Sequence, residues 1–265
     1  YRLSSQSGID TEITPPGGPT SKVSDEQSFA SEVQDAILRW EMDWFPRPAH
    51  QVKWGAQAIW HGFQPGLLTR QLQIDQEVIQ DTAGGGLSNG YEGAVFVEHD
   101  WQVTERFRLH TGLHAAAYRF RQRTYASLQP RVSARYLLSP QLALKASYAE
   151  MQQFVHLLGA RTSFWMPATD SVPPAYSRQV AAGLAWTSPE GGWAASLEGY
   201  YKQMEDLVDY EEMYADGARW ESVSEIGGTG EAYGVELLLE KKQGRLRGWL
   251  GYTLAWNWRQ FASVN

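Results

Sequence analysis

Apolar residues occupy every second position in about ten separate segments of this 265-residue chain. The stretch 131–148 shows the pattern twice, on either side of the short break Ser139-Pro140-Gln141. The apolar set before and after the break is Val132, Ala134, Tyr136, Leu138, Leu142, Leu144, Ala146 and Tyr148. Two alternating runs joined by a tight turn predict a β-hairpin, and a chain built from such runs is expected to be all-β.

Five hairpins of this kind are predicted, and the segments that join them differ sharply in length. The turns within the hairpins fall at 45–49, 103–106, 139–141, 188–192 and 241–244. The segments between hairpins are longer, at 62–90, 150–178 and 203–230, with a shorter link near 119–127. Short turns on one side and long loops on the other are typical of an outer-membrane β-barrel. Strands of about ten residues or more also suit a tilted crossing of a bilayer.

The alternation assigns the two sets of side chains to opposite faces of the predicted sheet. In a barrel the apolar set faces lipid, and the predicted outward residues are Leu144, Leu184, Leu197, Leu237 and Leu250. The charged set faces the lumen, and the predicted inward residues are Lys145, Glu198, Glu236 and Arg247. Trp and Tyr near strand ends fit the headgroup level of a bilayer. The alternation alone also fits a soluble all-β carbohydrate-binding module or sandwich, which stays open as the alternative.

Composition removes several classes of protein. The chain has no cysteine, which excludes disulfides and thiolate metal sites. Its net charge of −7 argues against a nucleic-acid partner. No apolar run is long enough for a membrane helix, although this test does not detect barrel strands. The N-terminal residues lack the features of a signal peptide, and we expect the chain to be a fragment with any signal upstream.

Two of the long loops contain candidate ligand-binding residues. The segment from Gln203 to Gly230 has eight carboxylates, one arginine and the aromatic residues Tyr210, Tyr214 and Trp220. The segment 151–176 carries His156 and Trp165. Aromatic loop residues can stack on sugars or siderophores, and clustered carboxylates attract cations, calcium included. The alternative interpretation is a solvated surface, since polar loops are commonly so.

Catalytic and metal-binding motifs are not supported. "GLSNG" at 86–90 matches a nucleophile elbow, but that motif requires a strand before the serine and a helix after it. His110 and His114 lie on one face of a strand but roughly 13 Å apart, too far for one metal ion. We therefore predict neither an enzyme nor a metal site nor a bound cofactor.

The run from Leu128 to Trp186 resembles the barrel of TonB-dependent outer-membrane receptors, of the type abundant in Bacteroidota. The likeness rests on the following features in order: Pro130-Arg131, the strand ending in Tyr148, the segments 153–157 and 165–167, Pro173-Pro174, and the strand led by Gln179. "SLEGYYKQMEDLVDY" and "GTGEAYGVELLLEKKQGRLRGWLGYTLAW" fit the same pattern. The resemblance implies an up-and-down transmembrane β-barrel segment of about ten strands, with short periplasmic turns and long extracellular loops.

The resemblance also implies a function and a set of partners. Residues 1–30 are expected to form an extracellular loop or linker, and residues 31–265 part of the barrel. Such receptors import a scarce solute across the outer membrane, of the siderophore, glycan, peptide or vitamin class. The implied partners are outer-membrane lipid, the extracellular ligand, the TonB complex acting through a plug domain that this chain lacks, and, as a further candidate, a surface lipoprotein.

Overall fold

The computed structural model describes residues 2–13, 21–75, 77–84, 86–158, 164–210 and 224–262, and these ranges form an all-β structure. Ten long strands form its wall. They are β2 (Ser21–Arg47), β3 (His50–Ile74), β5 (Ser88–Gln102), β6 (Phe107–Phe120), β7 (Arg123–Leu137), β8 (Leu142–Gln153), β11 (Ala175–Thr187), β12 (Trp193–Tyr210), β13 (Ser224–Lys241) and β14 (Gly248–Gln260). The other four are β1 (Arg2–Ile13), β4 (Glu77–Gly84), β9 (Val155–Leu158) and β10 (Phe164–Pro167). The predicted fold class is confirmed.

The wall strands pair in chain order as one antiparallel sheet, so the chain runs up and down. The five predicted turns all lie on one rim, because backbone hydrogen bonds join each turn region to the next. Donor and acceptor pairs are Gln102 N to Ala49 O, Leu137 N to Arg106 O, Thr187 N to Gln141 O and Lys242 N to Gly192 O, at 2.8–2.9 Å. The longer connections therefore share the opposite rim, as the sequence predicts.

One face of the wall is apolar and exposed. Leu144, Leu184, Leu197 and Leu237 lie opposite one another across four neighbouring strands. Each of them is between 41% and 47% exposed, although all four are aliphatic. Leu250 lies on the same face opposite Leu239 and is 63% exposed. The neighbouring row on the other face carries Lys145, Glu198 and Glu236.

Aromatic rings border the apolar face near both rims. The rings near the long-loop rim are Trp60, Tyr91, Tyr148, Tyr201, Tyr233 and Trp256. On β5, Tyr91 and Trp101 are ten residues apart on the same face. Ten residues span about 33 Å along a strand, which a tilt near 40° reduces to about 25 Å, the height of the apolar band of outer-membrane barrels.

Several strands continue further towards the long-loop rim than the apolar pattern predicts. The predicted loop 62–90 is largely a hairpin, because β3 runs to Ile74 and pairs there with β4. The predicted link 119–127 is wrong, since only residues 121–122 separate β6 from β7. The sequence predicts Arg247 in a strand and facing inward, and this prediction is wrong, because Arg247 precedes β14 and its Nε donates to Gly244 O in the turn.

The N-terminal residues form a hairpin on the upper half of β2. Arg2–Ile13 pairs with Ser21–Glu32, and the pairing of β2 with β3 begins at Val23 and continues down to Arg47. Arg70 binds Asp25 across this extension through two hydrogen bonds of 3.0 and 2.7 Å, and the bonded guanidinium lowers the pKa of Asp25. The proposed division at residue 30 therefore falls within a strand, and the domain assignment stays a prediction. The described residues contain no helix of the length and hydropathy needed to cross a membrane.

Candidate functional site at the long-loop end of the wall

The inner face of the wall is polar near the rim of short turns. Asp100, Arg108, Arg135, Lys145 and Glu198 line a cleft of about 360 Å³ there. Arg108 holds Asp100 with a bidentate pair of hydrogen bonds, 2.5 Å from Nε to Oδ1 and 2.7 Å from Nη2 to Oδ2. The wall therefore has charged groups on its inner face and leucines on its outer face, as a membrane barrel with a water-filled interior does.

At the opposite rim the inner face is covered by residues 154–158 and 164–174, which lie between β8 and β11 and which we call the inner loop. Its β9 and β10 form a small antiparallel hairpin. This hairpin contacts β2 and β3 on one side and β12 on the other. The inner loop therefore reaches across the concave side of the wall instead of projecting away from the rim.

Hydrogen bonds fix the inner loop to the wall. The backbone N–H of Trp165 donates to Ser31 Oγ at 3.0 Å, and Ser31 is fully buried. The hydroxyl of Tyr125 donates to the carbonyl of Thr169 at 2.6 Å. Because these bonds attach the inner loop to β2 and β7, the loop is held at two separated points of the wall.

Two apolar clusters lie beneath and beside the inner loop. In the first, Phe154 and Ala168 of the loop pack on inward-facing wall residues; Phe63, Tyr118 and Phe120 are its large members. The rings of Tyr118 and Phe154 stack with centroids 5.1 Å apart. The second cluster consists of Phe29, Leu158, Met166, Val172 and Val208. The inner loop is thus packed like a small core.

His156 lies inside this packed loop. The residue is 5% exposed, and its ring bonds to the backbone of Pro173, which must accept through its carbonyl because proline has no N–H. Burial lowers the pKa of His156 to about 4. A neutral, enclosed ring is placed to hold the loop together, and a ligand reaches it only if the loop opens.

The other predicted ligand-binding residues are placed in different ways. Trp165 is half-buried and packs against the first apolar cluster. Tyr210 ends β12. Tyr214 and Trp220 lie outside the described residues. The assignment of these residues and of His156 to a ligand therefore stays a prediction.

A buried histidine on the wall was not singled out by the sequence. His61 Nδ1 lies 2.7 Å from Asp35 Oδ1, and its Nε2 lies 3.7 Å from Glu92 Oε2. The ring stacks on Phe63 with centroids 5.4 Å apart, directly below the inner loop. In the sequence, Asp35, His61 and Glu92 are only three polar residues at inward positions of β2, β3 and β5. Their spacing along the chain does not show that they meet.

The motifs rejected for catalysis and metal binding have ordinary places in the sheet. Ser88 begins β5 opposite Phe63, and a strand follows it where a nucleophile elbow requires a helix. His110 and His114 both lie on the inward face of β6. Within the described ranges, no three His, Asp or Glu side chains are grouped so that they could hold a metal ion.

Comparison with known proteins identifies the family. Residues 7–265 match the family described as TonB dependent receptor-like, beta-barrel. No curated protein matches the sequence. Among solved structures, the FrpB iron transporter from Neisseria meningitidis (F3-3 variant) is similar with a TM-score of 0.61 and 10% identity over 97% of this chain and 43% of that one.

Other transporters share the fold at similarly low identity. The RagAB peptide transporter gives a TM-score of 0.58 at 12% identity, over 98% of this chain and 37% of that one. The copper transporter OprC gives 0.57 at 15% identity, over 99% and 47%. The chain thus spans less than half the length of each of these structures.

The single wall-forming sheet and the family match agree, and they exclude the alternative of a soluble sandwich, which requires two large packed sheets. This chain belongs to the TonB dependent receptor-like β-barrel family, and its wall is part of a barrel of the bacterial outer membrane.

Proposed function

We propose that the chain supplies part of the barrel of a transporter that imports a scarce solute across the outer membrane with energy delivered by TonB. The observation that carries this proposal is the inner loop. It crosses the concave side of the wall at the long-loop rim, where a solute enters from outside, and so it narrows the entrance. A narrowed mouth of defined shape favours selective uptake over free diffusion.

The cargo is a scarce solute of the siderophore, glycan, peptide or vitamin class. Structural relatives named for iron, peptide and copper transport support solute transport in general. Their cargoes differ, so the fold leaves the class open. TonB would act through a plug domain, and a surface lipoprotein remains a candidate partner. The origin in Bacteroidota remains a prediction, and we propose no covalent chemistry.

Ligand contacts are assigned to the long-loop rim. The segment 203–230 carries Tyr210, Tyr214 and Trp220 among its carboxylates. The inner loop adds Trp165, which is only half-buried. His156, enclosed within the loop, would contact ligand only after a rearrangement. Part of the acidic character is already neutralised, since Glu205 pairs with Arg178 at 2.8 Å.

Uptake by cells tests the proposal. We expect the intact receptor to accumulate at least one solute from a panel of iron chelates, copper, peptides and oligosaccharides, and only in cells with a working TonB complex. Combined Tyr210→Ala, Tyr214→Ala and Trp220→Ala changes should weaken binding to cells without reducing the folded barrel, scored by heat-modifiable gel mobility. Tyr252→Ala, on the lipid-facing side, serves as the control.

Two results would count against parts of the proposal. Unchanged binding in the triple variant would mean that the acidic segment is a solvated surface that does not contact the ligand. Accumulation that does not depend on TonB, for every solute in the panel, would contradict active transport by this receptor.

A further inference from the structure

The strand β4 has one unpaired edge. It pairs with β3 along its whole length and with no other strand in the described part of the chain. Because only two residues separate Ile74 from Glu77, these two form a directly hydrogen-bonded pair, and every second pair along the ladder is bonded in the same way. The backbone N–H and C=O groups of Val78, Gln80 and Thr82 therefore point away from β3, towards the unpaired edge.

The position beside this edge is open because of where the wall strands end. β4 and β5 pair with the same side of β3, and β4 lies farther from the rim of short turns. β6 lies beside β5 but ends at Phe120, which is opposite Gly90. A further strand thus has room beside β4, in line with β6, with the tip of the β6–β7 hairpin beneath it.

The side chains along β4 give this edge two faces and a negative charge. Glu77, Ile79 and Asp81 lie on one face of the strand, and Val78 and Gln80 lie on the other. All five are exposed, and Val78 and Ile79 are 54% and 58% exposed although both are aliphatic. A strand with basic side chains on the first face and apolar side chains on the second complements this edge.

The tip of the β6–β7 hairpin carries the opposite charge. Arg119, Arg121 and Arg123 fall within five residues of the chain, and all three are exposed. Arg121 follows directly after Phe120, so it lies at the end of β6 on which an added strand would stand. A guanidinium group binds a carboxylate through two parallel hydrogen bonds. The tip therefore favours the C-terminal carboxylate of an added strand and repels an N-terminal ammonium group.

We propose that the free edge of β4 binds the C-terminal segment of a basic polypeptide by strand addition, with the terminal carboxylate at Arg121. β4 runs from its turn with β3 towards the tip, so the bound segment runs parallel to it. The site lies beside the mouth of the wall and does not require that the polypeptide enter the barrel. The inference is therefore independent of the proposed transport function.

The length of the segment follows from the strand levels. The eight residues of β4 provide eight positions. Gly84 is level with Leu67, whereas Phe120 is level with Gly90 and His61. The six residues of β3 between these levels correspond to roughly 20 Å. A peptide of about fourteen residues therefore reaches from the far end of β4 to the tip.

Binding of a fluorescent peptide to the intact purified receptor, followed by anisotropy, tests the inference. The probe alternates lysine and valine over fourteen residues and ends in a free carboxylate, so that its lysines lie beside Glu77 and Asp81. We expect the same peptide with a C-terminal amide to bind about tenfold more weakly, because the charge-assisted hydrogen bonds to arginine are lost. Arg121→Gln should weaken binding of the acid form by a similar factor and leave binding of the amide unchanged.

Methylation of the peptide backbone separates strand addition from simple attraction of charge. In a segment parallel to β4, the lysine N–H groups point at the edge and the valine N–H groups point away. A peptide with N-methyl groups on three lysines should therefore lose measurable binding. A peptide with N-methyl groups on three valines has the same composition and charge, and it should bind as the unmethylated probe does.

A pair of substitutions at one position tests the receptor side of the same contact. Gln80→Pro removes an N–H that points outward, so it leaves the ladder to β3 intact, as edge strands allow. It should weaken binding of the probe by about tenfold, the effect of a lost hydrogen bond together with the bulk of the proline ring. Gln80→Ala keeps the N–H and should bind the probe as the unaltered receptor does. Heat-modifiable gel mobility shows whether each variant is folded.

Equal binding of the two methylated peptides overturns the proposal, and so does equal binding of the acid and the amide. If methylation of the valines abolishes binding and methylation of the lysines does not, the segment is antiparallel and its carboxylate lies away from Arg121, which also overturns it. Absence of binding by the unmethylated probe at millimolar concentration has the same consequence. These comparisons use the unaltered receptor, so they decide the matter even if a variant fails to fold. Loss of solute uptake with normal peptide binding would count against the transport proposal and not against this one.

Discussion

At the scale of single residues, the alternation places neighbours in the sequence on opposite faces of the wall, one facing lipid and the other facing water. Leu237 lies in the apolar row with Leu197 and Leu184, while Glu236 lies in the opposite row facing Glu198. Sequence alone predicted these faces because the side-chain period of a strand is two. The sequence did not predict that Arg247 lies in a turn. The alternating pattern shows which face a strand residue occupies, but it does not show at which residue the strand begins.

A pair of substitutions at these two neighbours tests the assignment of the faces. Leu237→Arg places a charge against hydrocarbon near the middle of the wall and should lower the free energy of unfolding by about 2–4 kcal/mol. Glu236→Arg introduces the same side chain on the wet face and should change it far less. Urea unfolding of the receptor folded into vesicles measures both. A larger loss in Glu236→Arg would mean that the faces are inverted.

At the scale of elements, the inner loop was the part that sequence predicted least well. Its position was predicted as a long loop, but its folding back onto β2 and β7 was not. The contacts that hold it join residues more than 40 positions apart, such as Tyr125 with Thr169 and Trp165 with Ser31. Periodicity reports the local surroundings of a residue, so such contacts leave no trace in it. For the same reason the sequence names His156 as a candidate ligand-binding residue without showing that it is buried.

The inner loop should open in acid because of His156. Burial puts the pKa of this histidine in the folded loop at about 4, below its usual 6.5, so the folded loop favours the neutral ring. The folded loop therefore has its full stability above pH 6.5. As the pH falls from 6.5 to about 4, protonation of the histidine in the open loop lowers the free energy that favours the folded loop, by an amount on the order of 3 kcal/mol. We expect the loop to loosen across that range.

A spin label reports this opening. The chain has no cysteine, so Asp170→Cys gives one labelling site on the exposed part of the inner loop. The nitroxide spectrum should sharpen as the pH falls from 6.5 to 4. In a second variant that adds His156→Gln, whose amide can still donate to Pro173, the spectrum should respond much less. Equal responses would assign the change to other titrating groups.

At the scale of the whole molecule, the five turns and the long connections define the two ends of the wall. The number of wall strands and their pairing in chain order were predictable, because each strand carries its own apolar set and each short turn fixes its neighbour. The upper ends of the strands were not. Residues 23–34 of β2 and 62–74 of β3 pair above the apolar band, where most residues are polar and no alternation marks a strand.

The orientation of the wall gives the last prediction. Short turns face the periplasm in outer-membrane barrels, so the turn 188–192 should be inside and the inner loop outside. Glu190→Cys and Asp170→Cys place single thiols at exposed positions on the two rims. A membrane-impermeant maleimide should label Asp170→Cys on intact cells. It should label Glu190→Cys only after the outer membrane is permeabilised, with the unaltered receptor as the background control. The reverse result would place the inner loop in the periplasm. It would then no longer guard an entrance, so the proposed transport function depends on the outcome of this measurement.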